Sequence, residues 1–368
     1  TALGRSSLLL NTTGESNTSV GDSSMYSNTT GSNNTALGYQ ALELNTTGTA
    51  NVAVGLQAVE NNTTGGSNTG IGFRALEENT TASNNTAVGY GVLTATTSGT
   101  SLSAVGTNAL SNNTTGDYNT AMGTGCMEAN TTGSNNTAMG YLALDNNTTA
   151  SNNTAFGYKA LDANTTGTSN TAVGTFALDA NTTADYNTGV GYNALTANTT
   201  GHSLCSFGTY ALQSNTTGDS NSAFGRSALQ NNTTGYENVD IGKDALKVNT
   251  EGFVNVAIGA ETLDANTTGD KNVAVGKGAL TANTTADNNV AIGWDALGAN
   301  TTGAQNVAMG SNALGSNTTS GNNVAVGHEA MTANTTGTQN TGLGAYAADS
   351  VTTGSYNVAL GVNALGTT

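Results

Sequence analysis

The amino-acid sequence predicts an all-β fold, a parallel β-solenoid of 22 turns of seventeen residues, and three observations predict it. The first is a period that never slips. Asn17, Asn34, Asn51, Asn68 and Asn85 open successive rows of seventeen, and Asn323, Asn340 and Asn357 still do so far down the chain. Counting that asparagine as offset zero, the second is an apolar residue at offset three in all 22 rows, from Leu3 and Val20 to Phe207, Ile258 and Leu360. The third is glycine at offset four in all 22 rows, Gly38, Gly55, Gly72, Gly89, Gly259 and Gly293 among them. A fixed period of this kind marks a solenoid, whose turns cannot bury their apolar side alone and so stack on their neighbours. Seventeen residues are too few for an independent core. Collagen is excluded because glycine recurs at seventeen rather than three and proline is absent. Residues 1–368 are therefore expected to form one continuous array.

Each row begins with a strand. Offsets zero to four read Asn, Thr or Val, Ala, apolar, Gly, as in Asn51, Val52, Ala53, Val54 and Gly55, and the alternation with β-branched residues argues for a short strand. The glycine then marks a corner of positive φ or a close backbone approach. Offsets five to eight, as in Tyr39, Gln40, Ala41 and Leu42, are expected to add a second short strand, although alanine and leucine also suit a single helical turn. Offsets eleven to fourteen, usually Asn-Thr-Thr-Gly, form the return loop. There asparagine and threonine bond local backbone, and the glycine is expected to supply a left-handed residue.

The two faces of the first strand are both apolar. Offsets one and three point one way and offsets two and four the other. Burial on both faces is typical of covered parallel strands, yet a seventeen-residue coil has only one interior. The second face is expected to be covered by another copy of the chain. Asp240, at offset two among alanines and glycines, is the discordant residue. Offset one turns from mostly threonine to valine at Val239, Val256, Val273, Val290, Val307 and Val324, which predicts a drier second half.

Composition narrows the partners. Charged residues make up 9% of the chain, and the net charge of −16 comes from eight Lys and Arg against 24 acids. No basic stripe exists to neutralise phosphates, so nucleic acid is excluded as a partner, and no apolar run approaches the ~20 residues of a membrane span. Disorder does not require an apolar residue at a fixed offset in every row. Thr1 begins inside a strand pattern and the chain stops in mid-turn at Gly366, Thr367 and Thr368, which reads as a window cut from a longer protein. Cys126 and Cys205 lie more than four turns apart, roughly 20 Å at about 4.8 Å per turn, too far for a disulfide.

The strings NVAIG at 255–259 and 289–293, and NTAVG at 85–89 and 170–174, resemble the head repeats of trimeric autotransporter adhesins, and similar repeats occur in some phage tail fibres. The resemblance implies a left-handed β-roll, three chains packed side by side as a homotrimer, and an extracellular setting. The rows are longer than those typical of that family, through the Asn-Thr-Thr loop, and neither its membrane anchor nor its coiled-coil stalk is in this sequence.

No catalytic constellation is found, so an enzyme is not expected, nor is a cofactor or a resident metal. His202 and His328 stand singly in different rows. Glu43, Asp145, Asp162, Asp179 and Asp264 share offset nine as a solvated charged edge without the spacing of a calcium loop. Tyr39, Tyr90, Tyr141, Tyr158, Tyr192 and Trp294 share offset five, where they pack between turns or subunits or form sugar-stacking platforms.

The periodic surface signal is Asn-Thr-Thr. Asparagine fills offset eleven in 19 of 22 rows, with Thr96, Val351 and Thr368 the exceptions. All but Asn249 open an Asn-x-Thr acceptor sequence: Asn11, Asn28, Asn45, Asn62, Asn79, Asn113, Asn130, Asn147, Asn164, Asn181, Asn198, Asn215, Asn232, Asn266, Asn283, Asn300, Asn317 and Asn334. Three readings compete: side-chain ladders along the solenoid, dense glycosylation, and a threonine array matched to ice. The sequence thus leads to an extracellular structural fibre or adhesin shaft projecting from a cell or virion surface, with a glycan coat as one of its features. The alternative is a monomeric solenoid that binds ice or glycans.

Overall fold

A computed structural model describes residues 1–366. Thr367 and Thr368 lie outside the described residues, and with them the departure from asparagine at Thr368. The chain forms two compact units, Thr1–Asp185 and a second from Tyr186 onward. Each is a parallel β-solenoid. The first holds strands β1 (Ala2–Leu3) to β11 (Thr171–Val173) and the second β12 (Thr188–Val190) to β22 (Val358–Leu360), with one strand per turn and no helix among the described residues. Within each unit neighbouring strands pair seventeen residues apart, Thr35 with Val52 in the first and Val256 with Val273 in the second.

Turn 34–50 shows how the sequence makes a coil. Strand β3 (Thr35–Leu37) turns Ala36 inward, where it is fully buried, and leaves Thr35 and Leu37 outward. Gly38 follows at φ 145°, where a side chain is strained, and a Cβ there would also run into the carbonyl of Gly55 in the next turn. Both expectations for this glycine hold at once.

The segment after it is not a strand. In place of the expected second strand, offsets five to ten form a run of turns with left-handed residues at alternate positions, Gln40 at φ 56° and Leu42 at φ 56°. Alternating handedness points successive N–H groups up and down the stack. Gln40 donates to the Asp22 carbonyl of the preceding turn at 3.1 Å, and Leu42 to the Ala58 carbonyl of the following one at 3.0 Å. A left-handed leucine costs about 1–2 kcal/mol, and full burial of its side chain returns about 2–3 kcal/mol. The leucine is therefore placed where its burial offsets its backbone.

The return loop differs from expectation in one respect. The loop glycines, such as Gly48, do not have positive φ; the left-handed residue is two positions later, Ala50 at φ 57° and Asn33 at φ 63° in the preceding turn. This is why alanine replaces the loop glycine at Ala82, Ala150 and Ala184, all buried. The interior of a turn is accordingly thin: alanines at offsets two and seven, leucine at eight, and asparagines at zero and eleven, as with Asn34, Ala36, Ala41, Leu42 and Asn45.

Candidate functional site

Two regions could carry function: the Asn-Thr-Thr loop and the outward face of the strands.

The loop is held by a clasp that most turns repeat, interrupted where Leu102 or Leu204 stands at offset zero and Thr96 or Val351 at offset eleven. Asn34 Nδ2 and Asn45 Nδ2 both donate to the Gly48 carbonyl, at 2.9 and 3.1 Å, using both of its lone pairs. The remaining groups tie one turn to the next. Asn45 Nδ2 also donates to Asn28 Oδ1 at 2.7 Å, and Asn34 Oδ1 accepts the backbone N–H of Asn51 at 2.9 Å. Thr46 Oγ1 donates to the Thr63 carbonyl at 2.9 Å. The laddered reading of Asn-Thr-Thr is thus the arrangement found. Of the eighteen acceptor asparagines, only Asn11 is half-buried; the other seventeen are fully buried. An N-linked glycan joins Nδ2, the atom that here donates inside the stack, so the folded chain offers these asparagines no room for one. The outward hydroxyls belong to the second threonine of each loop, such as Thr47 and Thr64, which are exposed.

Three features of the clasp were not read from the sequence. The asparagine at offset zero is as buried as the one at offset eleven, and its recurrence in every row that has the position except those of Leu102 and Leu204 was the available signal. Serine and aspartate recur at offset fifteen because they accept the backbone N–H of the preceding turn, as Asp117 does from Thr100 at 2.7 Å and Ser134 from Asp117 at 3.0 Å. Departures also leave marks: where Thr96 replaces asparagine, Asn79 Oδ1 and Thr96 Oγ1 are buried without partners.

The outward face is flat, four columns wide and nearly without charge at its centre. Columns one and three carry threonine, valine and larger apolar residues, with Leu37 49% exposed, Met122 43% and Ile241 42%. In the second unit Val239, Val256, Val273, Val290, Val307 and Val324 pair in register, as predicted from the sequence. Phe207 and Phe224 stack at 5.2 Å on the same face. The offset-five rings flank it, Tyr39, Tyr90, Tyr141, Tyr158, Tyr192 and Trp294 each about half exposed. Where consecutive turns both carry rings they pack across the turns, Tyr141 on Tyr158 at 5.5 Å and Phe73 on Tyr90 at 5.1 Å.

Apart from flank residues such as Asp22, Lys243 and His328, most titratable residues lie elsewhere. In the offset-nine column burial, with Asp162 and Glu128 close by, pushes the Asp145 carboxyl up to about 6. Lys159 Nζ meets Asp162 at 3.2 Å, and Thr281 donates to Asp264 at 2.7 Å. His202 donates its backbone N–H to Asp219, and the His328 ring meets Tyr346 edge-on at 5.3 Å. Cys126 is buried, Cys205 half-buried, and both are free thiols. Asp240, in β15 (Val239–Ile241), is wholly buried between Ala223 and Ala257 with neither oxygen hydrogen-bonded, and burial holds its carboxyl well above the ordinary range. Among the described residues no group of three or more His, Cys, Asp or Glu is arranged to hold a metal, no pocket is formed, and no helix is long and apolar enough to cross a membrane.

The fold and these faces define a parallel β-solenoid repeat protein with laddered polar clasps. No protein-family model matches the chain, and neither does any curated protein sequence.

Proposed function

We propose that the protein is an extracellular structural fibre, a shaft or head segment projecting from a cell or virion surface, and that it works as a homo-oligomer rather than as an enzyme. The observation that carries this reading is the exposed apolar face. Within a single unit, eleven turns at about 4.8 Å each and a face up to roughly 18 Å wide give at most on the order of 900 Å², with threonine filling most of column one in the first unit and charged residues such as Asp22 and Lys243 at the edge. A stable interface needs about 800 Å² from each partner, with an apolar centre and a polar rim. The resemblance to adhesin head repeats favours three chains. Light scattering of the purified chain tests the reading: a mass of two or more chains is expected, and a single chain's mass overturns it.

A second reading rests on a separate observation, the exposed threonine that recurs at offset thirteen beside a hydrogen-bonded one at offset twelve. A monomeric solenoid that binds ice or glycans through these loops is the alternative. Thermal hysteresis of a monomeric preparation would favour it, whereas excess intact mass in hexose steps on natural material would mark a glycan coat on the fibre.

A further inference from the structure

The outer face has two flanking columns, and their residues are coupled in a way that one chain does not explain. One flank is offset five. The other is the left-handed residue just before offset zero. Both are exposed in most turns, one on each side of the strand, and the six steps of chain between them, which include the bends at positions such as Asn33 and Gly38, set them at most on the order of 18 Å apart. They do not touch within a turn. Asparagine occupies the near flank in six turns, and in all six the residue six positions later carries a ring, as in Asn33 with Tyr39, Asn288 with Trp294 and Asn322 with His328. In the other fifteen turns that have both positions, only Phe73 and Tyr192 are rings. The one acid on the near flank, Glu237, has Lys243 six positions later, and both are exposed, whereas the one base there, Lys271, has Lys277 six positions later, so charge follows the pattern in one turn and opposes it in another.

Backbone conformation accounts for half of this pattern. Every near-flank residue from Ser16 to Tyr356 has positive φ, which suits asparagine, but it says nothing about a ring six residues away. Copying of rows accounts for part of the rest, since residues 32–39, 83–90, 134–141 and 151–158 differ only at the offset-three residue. The rows of Trp294 and His328 differ also at offsets fifteen and one and in the ring itself, and still keep the pairing.

We infer that copies of the chain pack outer face to outer face about an axis parallel to the solenoid, turn in register with turn, so that each offset-five ring lies on the near-flank asparagine of the neighbouring copy. This rests on the self-association proposed above and adds its direction, register and contact pair. A rotation about that axis preserves the height of each turn and reverses left and right, which brings offset five of one copy against the near flank of the next. It does so for two copies or three. An antiparallel arrangement would set offset five against offset five and leave the coupling without a cause. Asparagine amide groups pack flat on rings or donate to their faces, and Glu237 would meet a partner's Lys243. Chains of net charge −16 repel one another, and columns one and three, which carry no charged residue in any turn, are the surface on which they can meet.

Cysteine pairing tests this. In a Cys205→Ser background, which leaves only the buried Cys126, Asn152→Cys and Tyr158→Cys are made singly and the two chains co-refolded with tags of different size. Oxidation is expected to give a cross-linked species carrying both tags, and neither variant alone is expected to cross-link. Tyr158→Cys cross-linking to itself would overturn the parallel register. An assembly seen by light scattering but without the mixed disulfide would overturn this inference and leave self-association standing, whereas a monomeric mass would overturn both. Charge exchange supplies a second readout. Glu237→Lys and Lys243→Glu are each expected to weaken assembly about tenfold, and the double exchange to restore it. Singles without effect, or no restoration, would remove the Glu237 contact with a partner's Lys243 from the proposal.

Discussion

Asparagine in this protein is an interior residue. A buried amide costs its desolvation unless every polar atom is paired, and stacking pairs them by setting identical side chains one turn apart. The interruption at Thr96 gives a direct test. Thr96→Asn supplies a donor for Asn79 Oδ1 and an acceptor for Asn113 Nδ2, and should raise stability by about 1–2 kcal/mol, read as the midpoint of denaturant unfolding. The opposite change, Asn215→Ala, removes donors from Asn198 Oδ1 and the Gly218 carbonyl and should cost about 2–3 kcal/mol. Asp240 is the inverse case, a carboxyl held neutral by burial with no partner. Its folded pKa lies above its unfolded one, so its cost is small below the ordinary carboxylate pKa and grows as pH rises. Asp240→Ala should therefore stabilise by about 1–3 kcal/mol at neutral pH and by much less at pH 3, as seen in melts at the two pH values.

At the scale of an element, the unit is one column of like residues rather than one strand. The offset-nine carboxylates show what stacking costs when the side chains are charged. Glu60 is raised by burial and by Glu43 and Glu77 on either side, and Asp145 to about 6 by burial, Asp162 and Glu128. Raised carboxyls destabilise the fold where they are ionised, so stability should increase as pH falls through about 6 toward the ordinary range. Asp145→Asn should raise the melting temperature at pH 8 and leave it unchanged at pH 4; an equal gain at both would show that charge is not the cause. At offset six lysines have the opposite effect: burial raises Asp244, yet donors from Lys243 and Lys247 bring it below its ordinary value.

For the whole molecule the controlling terms are an apolar face and a net charge of −16. If copies meet across that face, repulsion between like-charged chains opposes the meeting, and added salt screens it within a Debye length of about 10 Å at 0.1 M. Raising ionic strength from low to moderate should strengthen assembly several-fold by light scattering. Weakening with salt would mean that ion pairs, not the neutral columns, hold the copies together.

The sequence by itself determined the period, the strand that opens each turn, the glycine that neither its φ nor its close neighbour allows to change, and the alternation that gives the strand two faces. Those follow from local geometry and from spacing, which a repeat writes out many times. That no second strand follows was decided by the structure. Which face the chain curls around was settled only by tertiary structure, because it depends on the left-handed residues at offsets six, eight and sixteen: glycine and asparagine mark some of these positions, such as Gly91, Asn108 and Asn33, but the leucines at offset eight give no local sign of positive φ. That curl sends Ala36 and Asn45 inside and Thr35 and Leu37 outside. Hence a loop that looks like a surface of glycan acceptors is a buried ladder: the polarity of asparagine is visible in the sequence, and its partners exist only once the turns are stacked.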